Sequence, residues 1–203
     1  MEHTDFRILG LAASLRRASF HRGIVRAARE VAPEWMSCDS FDLSTIPYFN
    51  QDLEDQGIPE PVRELREKVR AYDAVLIATP EYDYAIPGVL ASALDWCLRS
   101  RHDPTPFRHK PVGIAGASPG GAGTARGQMV LRQILLHPPA YVMPEPQMLI
   151  PFSREKFDGQ TGDLVDDETR KRLRRFLMAL VEWSRQFGEP KQARGRRDLG
   201  KMV

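Results

Sequence analysis

Ala74-Val-Leu-Ile-Ala-Thr79 is a short apolar run without alternating polar residues, and it ends directly before Pro80. Such a run is typical of a strand that is buried on both faces of a parallel sheet. A loop bounded by Pro80 and Pro87 follows, and apolar residues then recur at helical spacing over residues 88–98. This stretch predicts one strand, loop and helix unit of an α/β fold.

The same alternation of strand and helix extends outward from this unit in both directions. Further strands are predicted at residues 6–12, 37–43, 111–117 and within 140–150, where prolines interrupt the pattern. Further helices are predicted at residues 21–31, 62–72, 124–135 and 166–187. The alternation predicts a five-stranded parallel sheet with helices on both faces, which is a three-layer α/β/α sandwich.

Length and charge narrow the class of protein. The chain has 203 residues, and we predict one domain over residues 1–190 and a basic, flexible tail over residues 191–203. A net charge of +2 gives no strong field that would draw the chain to nucleic acid or to a membrane. Cys38 and Cys97 form no CxxC motif, and the N-terminus lacks a signal-peptide pattern. We therefore predict reduced thiols and a cytoplasmic location.

The loop after the first predicted strand suits a phosphate group. In a parallel sheet, ligands bind beyond the carboxyl ends of the strands. This first loop, residues 13–21, holds Ser14, Arg16 and Ser19 beside the start of a predicted helix. A helix N-terminus favours anions, and an arginine can donate two hydrogen bonds to one phosphate. Alternatively, Ser19 only caps the helix and Arg16 lies in solvent.

Other phosphate chemistries do not fit the first loop. It matches neither the GxGxxG dinucleotide pattern nor the GxxxxGK[ST] pattern of nucleotide hydrolases. It also holds no cysteine that could attack a phosphate. The loop therefore suits holding a phosphate rather than transferring one.

Two further loops follow the next strands of the predicted sheet. The second loop, residues 80–88, is stiffened by prolines and carries Tyr82 and Tyr84, which suit a flat heterocycle unless they only fill the space between loops. The third loop, residues 118–124, has three glycines, which allow close approach to a ligand but also occur in ordinary flexible loops. Together the three loops predict a site for a phosphorylated planar cofactor such as FMN.

These motifs resemble those of the NADPH-dependent FMN reductases, a family with quinone-, chromate- and azo-dye-reducing members. The resemblance covers roughly the whole chain. It rests on Ser14-Leu-Arg16-Arg-Ala-Ser19-Phe20, Thr79-Pro-Glu-Tyr82, Ile86-Pro-Gly88, Ala93-Leu-Asp95-Trp96, Gly116-Ala-Ser-Pro-Gly-Gly121 and Gly123-Thr-Ala-Arg126. It implies a flavodoxin-like fold with strand order 2-1-3-4-5, FMN and NADPH as cofactors, and a homodimer or homotetramer.

The resemblance also implies which residues bind FMN. Those expected at the phosphate are Ser14, Arg16 and Ser19, with backbone contacts from Phe20 and His21. Those expected along one side of the isoalloxazine ring, largely through main chain, are Pro80, Glu81, Tyr82 and Asp83. Those expected along its other side are Ser118, Gly120 and Gly121. No catalytic acid or base and no metal ligand is predicted.

The chain departs from the family pattern at three positions. Ala13 stands where glycine is common, and a short turn can accept this change. His21 stands where asparagine is common, which leaves a side-chain contact with the phosphate open. Asp83 also replaces a common asparagine, and an ionised carboxylate cannot donate a hydrogen bond. If Asp83 faces the ring, it disfavours the anionic reduced flavin; if it faces solvent, the change is neutral.

The implied activity is hydride transfer from NADPH to FMN, followed by reduction of a small acceptor such as a quinone, azo dye, free flavin or metal oxyanion. The alternative is a flavodoxin-type electron carrier without NADPH reductase activity, although such carriers tend to be acidic and the sequence pI is about 8.6. A flavin-binding sensor has no dedicated sequence feature.

Two further sets of residues are candidates for binding. The cations that could contact the 2′-phosphate of NADPH are Arg99, Arg101, His102 and Arg108, although solvated surface charge is the simpler interpretation. Trp96 and residues 129–131 are candidate positions for a subunit interface.

Overall fold

Parallel strands form the centre of the molecule in the computed structural model, which describes residues 6–99 and 103–187. The strands are β1 (Phe6–Ala12), β2 (Met36–Phe41), β3 (Ala74–Ala78), β4 (Pro111–Ala117), β5 (Tyr141–Val142) and β6 (Met148–Ile150). The helices are α1 (Phe20–Val31), α2 (Gln51–Asp55), α3 (Glu60–Ala71), α4 (Gly88–Leu98), α5 (Ala125–Leu136) and α6 (Asp167–Arg185). Short 3-10 turns lie at Leu43–Thr45 and Ser153–Glu155.

The strand order is β2-β1-β3-β4-β5, so the predicted order 2-1-3-4-5 is confirmed. The last strand differs from the prediction because it is divided in two. β5 pairs with the start of β4, and β6 pairs with its end. Pro144 and Pro146 lie between the two short strands, and proline has no N–H group to donate to a sheet. The short helix α2, capped by the side chain of Asn50, was not predicted.

Two apolar clusters fill the space on the two faces of the sheet. On one face, α1 and α6 pack on residues such as Ile8 and Leu76. On the other face, α3, α4 and α5 pack on their neighbours Leu9 and Val75. Consecutive strand residues point to opposite faces, so a sheet covered on both sides needs continuous apolar strands. This requirement explains the uninterrupted run in β3, which is fully buried.

Trp96 belongs to the core rather than to an interface. Its side chain is fully buried, its indole N–H donates to the carbonyl oxygen of Pro47 at 2.9 Å, and its ring contacts Phe49. Leu131 is also fully buried. The prediction of an interface is therefore wrong for these two residues, whereas Met129, on the outer side of α5, is 65% exposed.

Several remaining predictions concern the termini and the cysteines. The predicted tail at residues 191–203 lies outside the described residues, as do Arg101 and His102. Cys38 and Cys97 are free, and burial raises the pKa of each thiol to about 12. No helix within the described ranges is long and apolar enough to cross a membrane.

Candidate functional site

The three loops meet at one edge of the sheet. They follow β1, β3 and β4, which are neighbours with β3 in the middle. Two backbone hydrogen bonds of 2.9 Å join their bases, because Ala13 N–H donates to the carbonyl of Ala78 and Thr79 N–H donates to that of Ala115. Groups on all three loops can therefore face one ligand beyond the carboxyl ends of the strands.

The first loop presents a row of unpaired backbone donors. Among the described residues, no group accepts a hydrogen bond from the N–H groups of residues 14–19. The loop leads into the N-terminus of α1, where the Ser19 Oγ accepts from the N–H groups of His21 at 3.2 Å and Arg22 at 3.4 Å. Unpaired N–H groups beside a helix N-terminus form a concave set of donors that favours an anion.

Arg16 adds a positive charge to these donors. Its guanidinium lies 5.0 Å from the centre of the Phe20 ring and has no ion-pair partner in the described part of the chain. Ser14 and Ser19, on the same loop, are buried. Arg22 fixes the loop, since its Nε donates to the carbonyl of Ser14 at 3.3 Å. The backbone of the first loop is thus fixed by Arg22, and the Arg16 guanidinium is available to bind an anion.

A distant turn supports the first loop, and sequence reasoning did not identify it. Gly162 has a φ of +75°, and a Cβ there would lie 2.7 Å from the carbonyl carbon of Ala18, so only glycine permits this approach. Arg26 anchors the same turn by donating to Asp163 at 2.6 Å, and Phe157 stacks on Phe20 at 4.8 Å. Turn-forming residues at 158–162 were the available signal, but they do not indicate what the turn contacts.

The structure corrects the expectation for His21. Its N–H already donates to Ser19, and its ring is buried, with Nε2 accepting the N–H of Ala117 at 3.2 Å. Burial, together with the charge of nearby Arg16, lowers the pKa of the imidazole to about 3, so the ring is neutral. His21 therefore joins the first loop to the end of β4 and does not direct its side chain to a phosphate.

The second loop is a tight, exposed turn. Tyr82 and Ala85 exchange two backbone hydrogen bonds of 3.0 and 2.9 Å, while Asp83 and Tyr84 between them adopt positive φ values of 49° and 64°. Both tyrosine side chains are more than half exposed, which disfavours the interpretation that they fill space between loops. Asp83 is exposed at the tip of the turn.

Glu81 fixes the second loop to α5. Its Oε2 accepts the N–H of Gly127 at 2.9 Å, and this contact caps a helix whose own N-cap residue, Thr124, makes no side-chain cap. Arg126 lies 3.8 Å from the other Glu81 oxygen and 4.6 Å from the centre of the Tyr84 ring. Because the side chain of Glu81 faces α5, its main chain stays available for a ligand.

We expect Glu81→Ala to lower the free energy of unfolding by about 1–2 kcal/mol, because the Gly127 N–H loses its acceptor. Glu81→Gln retains an acceptor oxygen and should lose less than half as much. Urea unfolding measures both values. Equal losses in the two variants would assign the effect to the charge of Glu81 and not to its hydrogen bond.

The third loop leaves a glycine surface open. Ser118 N–H donates to the carbonyl of Ile150 at 3.1 Å, which fixes the start of the loop. A Cβ placed on Gly120 would meet nothing within 4 Å, and Gly121 is exposed. The N–H groups of residues 120–124 find no acceptor among the residues that the structure describes. A flat ligand could approach this backbone and accept hydrogen bonds from it.

Comparison with known proteins identifies the family. The family model for NADPH-dependent FMN reductases matches residues 6–155, which include all three loops. The chain belongs to this family. The reductase is 41% identical over 183 residues to an NAD(P)H-dependent FMN reductase of Pseudomonas aeruginosa, a match that covers 90% of this chain and 97% of that protein.

Two other proteins are also similar to the reductase, one in sequence and one in structure. A quinone reductase of Escherichia coli (strain K12) is 37% identical over 179 residues, covering 87% of this chain and 94% of that protein. The flavoenzyme NAD(P)H:(acceptor) oxidoreductase FerB of Paracoccus denitrificans has a similar structure, with a TM-score of 0.80 and 29% identity, covering 91% of this chain and 100% of that one. The predicted family, flavodoxin-like fold and enzyme class are confirmed, and FMN and NAD(P)H are the cofactors of this family.

The loops of this FMN reductase fit FMN chemically. A phosphate dianion needs several donors, and the first loop offers unpaired N–H groups and Arg16. The polar edge of an isoalloxazine ring needs donors at close range, and the third loop offers unpaired N–H groups beside glycines. No cluster of side chains suited to a metal ion occurs in the described ranges.

Phe152 adjoins the third loop, and sequence reasoning missed this contact. Its N–H donates to the carbonyl of Gly120 at 3.2 Å, and the next N–H, of Ser153, donates to the carbonyl of Ser118 at 3.0 Å. The segment therefore forms part of the third loop's support, and Phe152 is 52% exposed. No signal in the sequence separates this phenylalanine from the apolar residues of the preceding strand.

Arg99 and Arg108, the candidates for contacting the 2′-phosphate that the structure describes, are misplaced for this role. α4 starts at the second loop and returns to the amino edge of the sheet, where β4 begins. Arg99 and Arg108 lie in this returning connection, so they are on the edge opposite the three loops. Arg99 instead lies over the ring of Phe49, at 5.2 Å. Surface charge is the better interpretation for both.

Proposed function

We propose that this reductase holds FMN on its three loops and passes electrons from NADPH to a small acceptor, foremost a quinone. One observation carries the proposal. Unpaired backbone donors and Arg16 on the first loop lie at the same sheet edge as the exposed second loop and the open glycines of the third loop. An anion-binding segment beside two segments that suit a flat ring matches the two halves of FMN.

Each loop has a distinct part in this proposal. The groups that hold the phosphate are Ser14, Arg16, Ser19 and the backbone of Phe20. Those that orient one side of the ring are the main chain of Pro80, Glu81, Tyr82 and Asp83. Those that line its other side are Ser118, Gly120 and Gly121. Asp83 is exposed at the tip of its turn, so its replacement of the family's asparagine should matter little to the flavin.

The chemistry comes from the cofactor and the geometry from the chain. FMN, when bound, supplies the redox chemistry of a ping-pong cycle in which NADP+ leaves before the acceptor enters. The chain binds the phosphate, fixes the ring and leaves one approach open. A site open to a nicotinamide is also open to other flat molecules, so azo dyes, free flavins and metal oxyanions are further candidate acceptors.

A quinone is the first choice because a 37% identical relative is named a quinone reductase. We also propose a cytoplasmic location and a homodimer or homotetramer. Exposed apolar residues on α5, Met129 at 65% and Leu136 at 73%, support an association between subunits. In sedimentation experiments at micromolar protein concentration, we therefore expect the monomer to be the minor species.

Anaerobic spectroscopy tests the proposed function. The purified protein, or the protein after addition of FMN, should show a flavin spectrum that bleaches with NADPH and recovers with a benzoquinone. Recovery with an azo dye or chromate would place those acceptors in the same cycle. A colourless protein that fails to take up FMN would contradict the proposal and leave the loops as a site for another phosphorylated ligand.

We expect Arg16→Ala to raise the Kd for FMN about 10- to 100-fold, since a hydrogen bond to a charged group contributes about 1.5–3 kcal/mol. The affinity for riboflavin, which lacks the phosphate, should stay within about twofold. Fluorescence titration measures both. Arg17→Ala is the matched control, because Arg17 is an exposed neighbour outside the proposed contacts. Unchanged FMN affinity in Arg16→Ala would refute the role of the first loop.

A further inference from the structure

Phe152 has an unfavourable backbone conformation. Its φ of 52° and ψ of 46° lie in the left-handed region, which glycine adopts readily and residues with large side chains rarely adopt. Such a conformation persists only where the surrounding structure holds it, and it is concentrated at functional sites. Some contact or function of the phenylalanine side chain should therefore offset this backbone strain.

The fold supplies no such reason. The contacts that hold the segment are backbone hydrogen bonds, from Phe152 N–H to Gly120 and from Ser153 N–H to Ser118. A glycine would make the same bonds without strain. The ring also adds little to the core, because 52% of the residue is exposed and it belongs to neither apolar cluster.

The ring lies beside the third loop with its faces unused. Its Cζ atom is 3.6 Å from the position that a Cβ on Gly121 would occupy, which is ordinary van der Waals contact. None of the ring contacts found among the described residues involves Phe152. By contrast, Tyr84 on the second loop is covered by the Arg126 guanidinium. Phe152 thus offers an uncovered aromatic surface next to the open glycines.

We propose that Phe152 determines the acceptor specificity of this reductase, by placing an apolar ring against flat aromatic acceptors that enter beside the third loop. The inference rests on the proposed function, since it takes the third loop as one wall of the flavin site. Aromatic rings favour offset or edge contacts with other rings. A small hydrophilic oxidant such as ferricyanide has no flat apolar face and gains nothing from this contact.

The test compares Phe152→Gly with Phe152→Tyr in the FMN-loaded enzyme. Glycine relieves the left-handed strain and removes the ring, whereas tyrosine retains the ring. For Phe152→Gly we expect a urea midpoint that is unchanged or higher and a Kd for FMN within about twofold of wild type. The ratio of the KM for a naphthoquinone to the KM for ferricyanide should rise about 10-fold. Phe152→Tyr should keep the wild-type ratio.

The outcomes separate this inference from the proposed function. A wild-type enzyme that binds FMN and reduces the naphthoquinone, together with an unchanged KM ratio in Phe152→Gly, overturns the inference alone. A lower urea midpoint with weakened FMN binding in Phe152→Gly assigns the residue a structural role and also overturns it. A wild-type protein that binds no FMN removes the proposed function and the inference together.

Discussion

Arg66→Met is expected to lower the free energy of unfolding by about 3–5 kcal/mol, because several acceptors lose the same buried donor at once. Arg66 lies in α3 and is only 2% exposed. Its guanidinium donates to the carbonyls of Trp96 at 2.8 Å and Cys97 at 3.3 Å, near the end of α4. It also donates to the carbonyl of Asp103 at 2.9 Å.

The size of the effect follows from the acceptors that remain. Carbonyl groups at a helix C-terminus have no partner within the helix, and buried ones are costly when unpaired. Methionine fills much of the arginine's volume but donates nothing, so the variant removes the hydrogen bonds and the ion pair with Asp103 while it retains most of the packing. Urea unfolding measures the change. Arg63→Met, at an exposed position of the same helix, should change stability by less than about 0.5 kcal/mol. A loss at Arg66 no larger than at Arg63 would contradict this assignment.

The fold was largely predictable because its signals are local. The continuous apolar runs at residues 74–79 and 111–117 report burial on both faces of a sheet, and the structure places β3 one residue shorter than the first run and β4 at the bounds of the second. The positions of the three loops follow from the topology, since neighbouring parallel strands end at one edge. The divided last strand was harder to predict, because prolines indicate an interruption without showing that the chain pairs with β4 again after them.

The site was only partly predictable because many of its contacts are distant in sequence. His21 and Ala117 are separated by 96 positions, and nothing local indicates that the ring turns away from the first loop. The contacts between Phe152 and Gly120 depend on where the chain runs after β6. Arg99 and Arg108 are a different case. Predicted topology alone places their connection at the opposite edge, so sequence reasoning could have rejected them.

Acid is expected to destabilise the enzyme through His21. Burial lowers the pKa of its ring to about 3, whereas an imidazole in the unfolded chain has a pKa of about 6.5. The unfolded state therefore binds this proton first, and the free energy of unfolding falls as the pH drops below about 6.5 toward 3. The expected loss is about 2 kcal/mol between pH 7 and pH 5, and about 4 kcal/mol by pH 3.

His21→Gln tests this prediction, because its amide oxygen can accept the Ala117 N–H without taking up a proton. Carboxylates with lowered pKa values, such as those of Asp42 and Asp166, also weaken the fold in acid, but they do so equally in both proteins. The difference between the two urea-unfolding profiles from pH 7 to pH 5 thus reports His21. Parallel profiles would refute the prediction. A flatter profile for His21→Gln would show that the link between the first loop and β4 depends on a neutral ring. This dependence explains why His21 is buried among backbone groups and is not available to a phosphate.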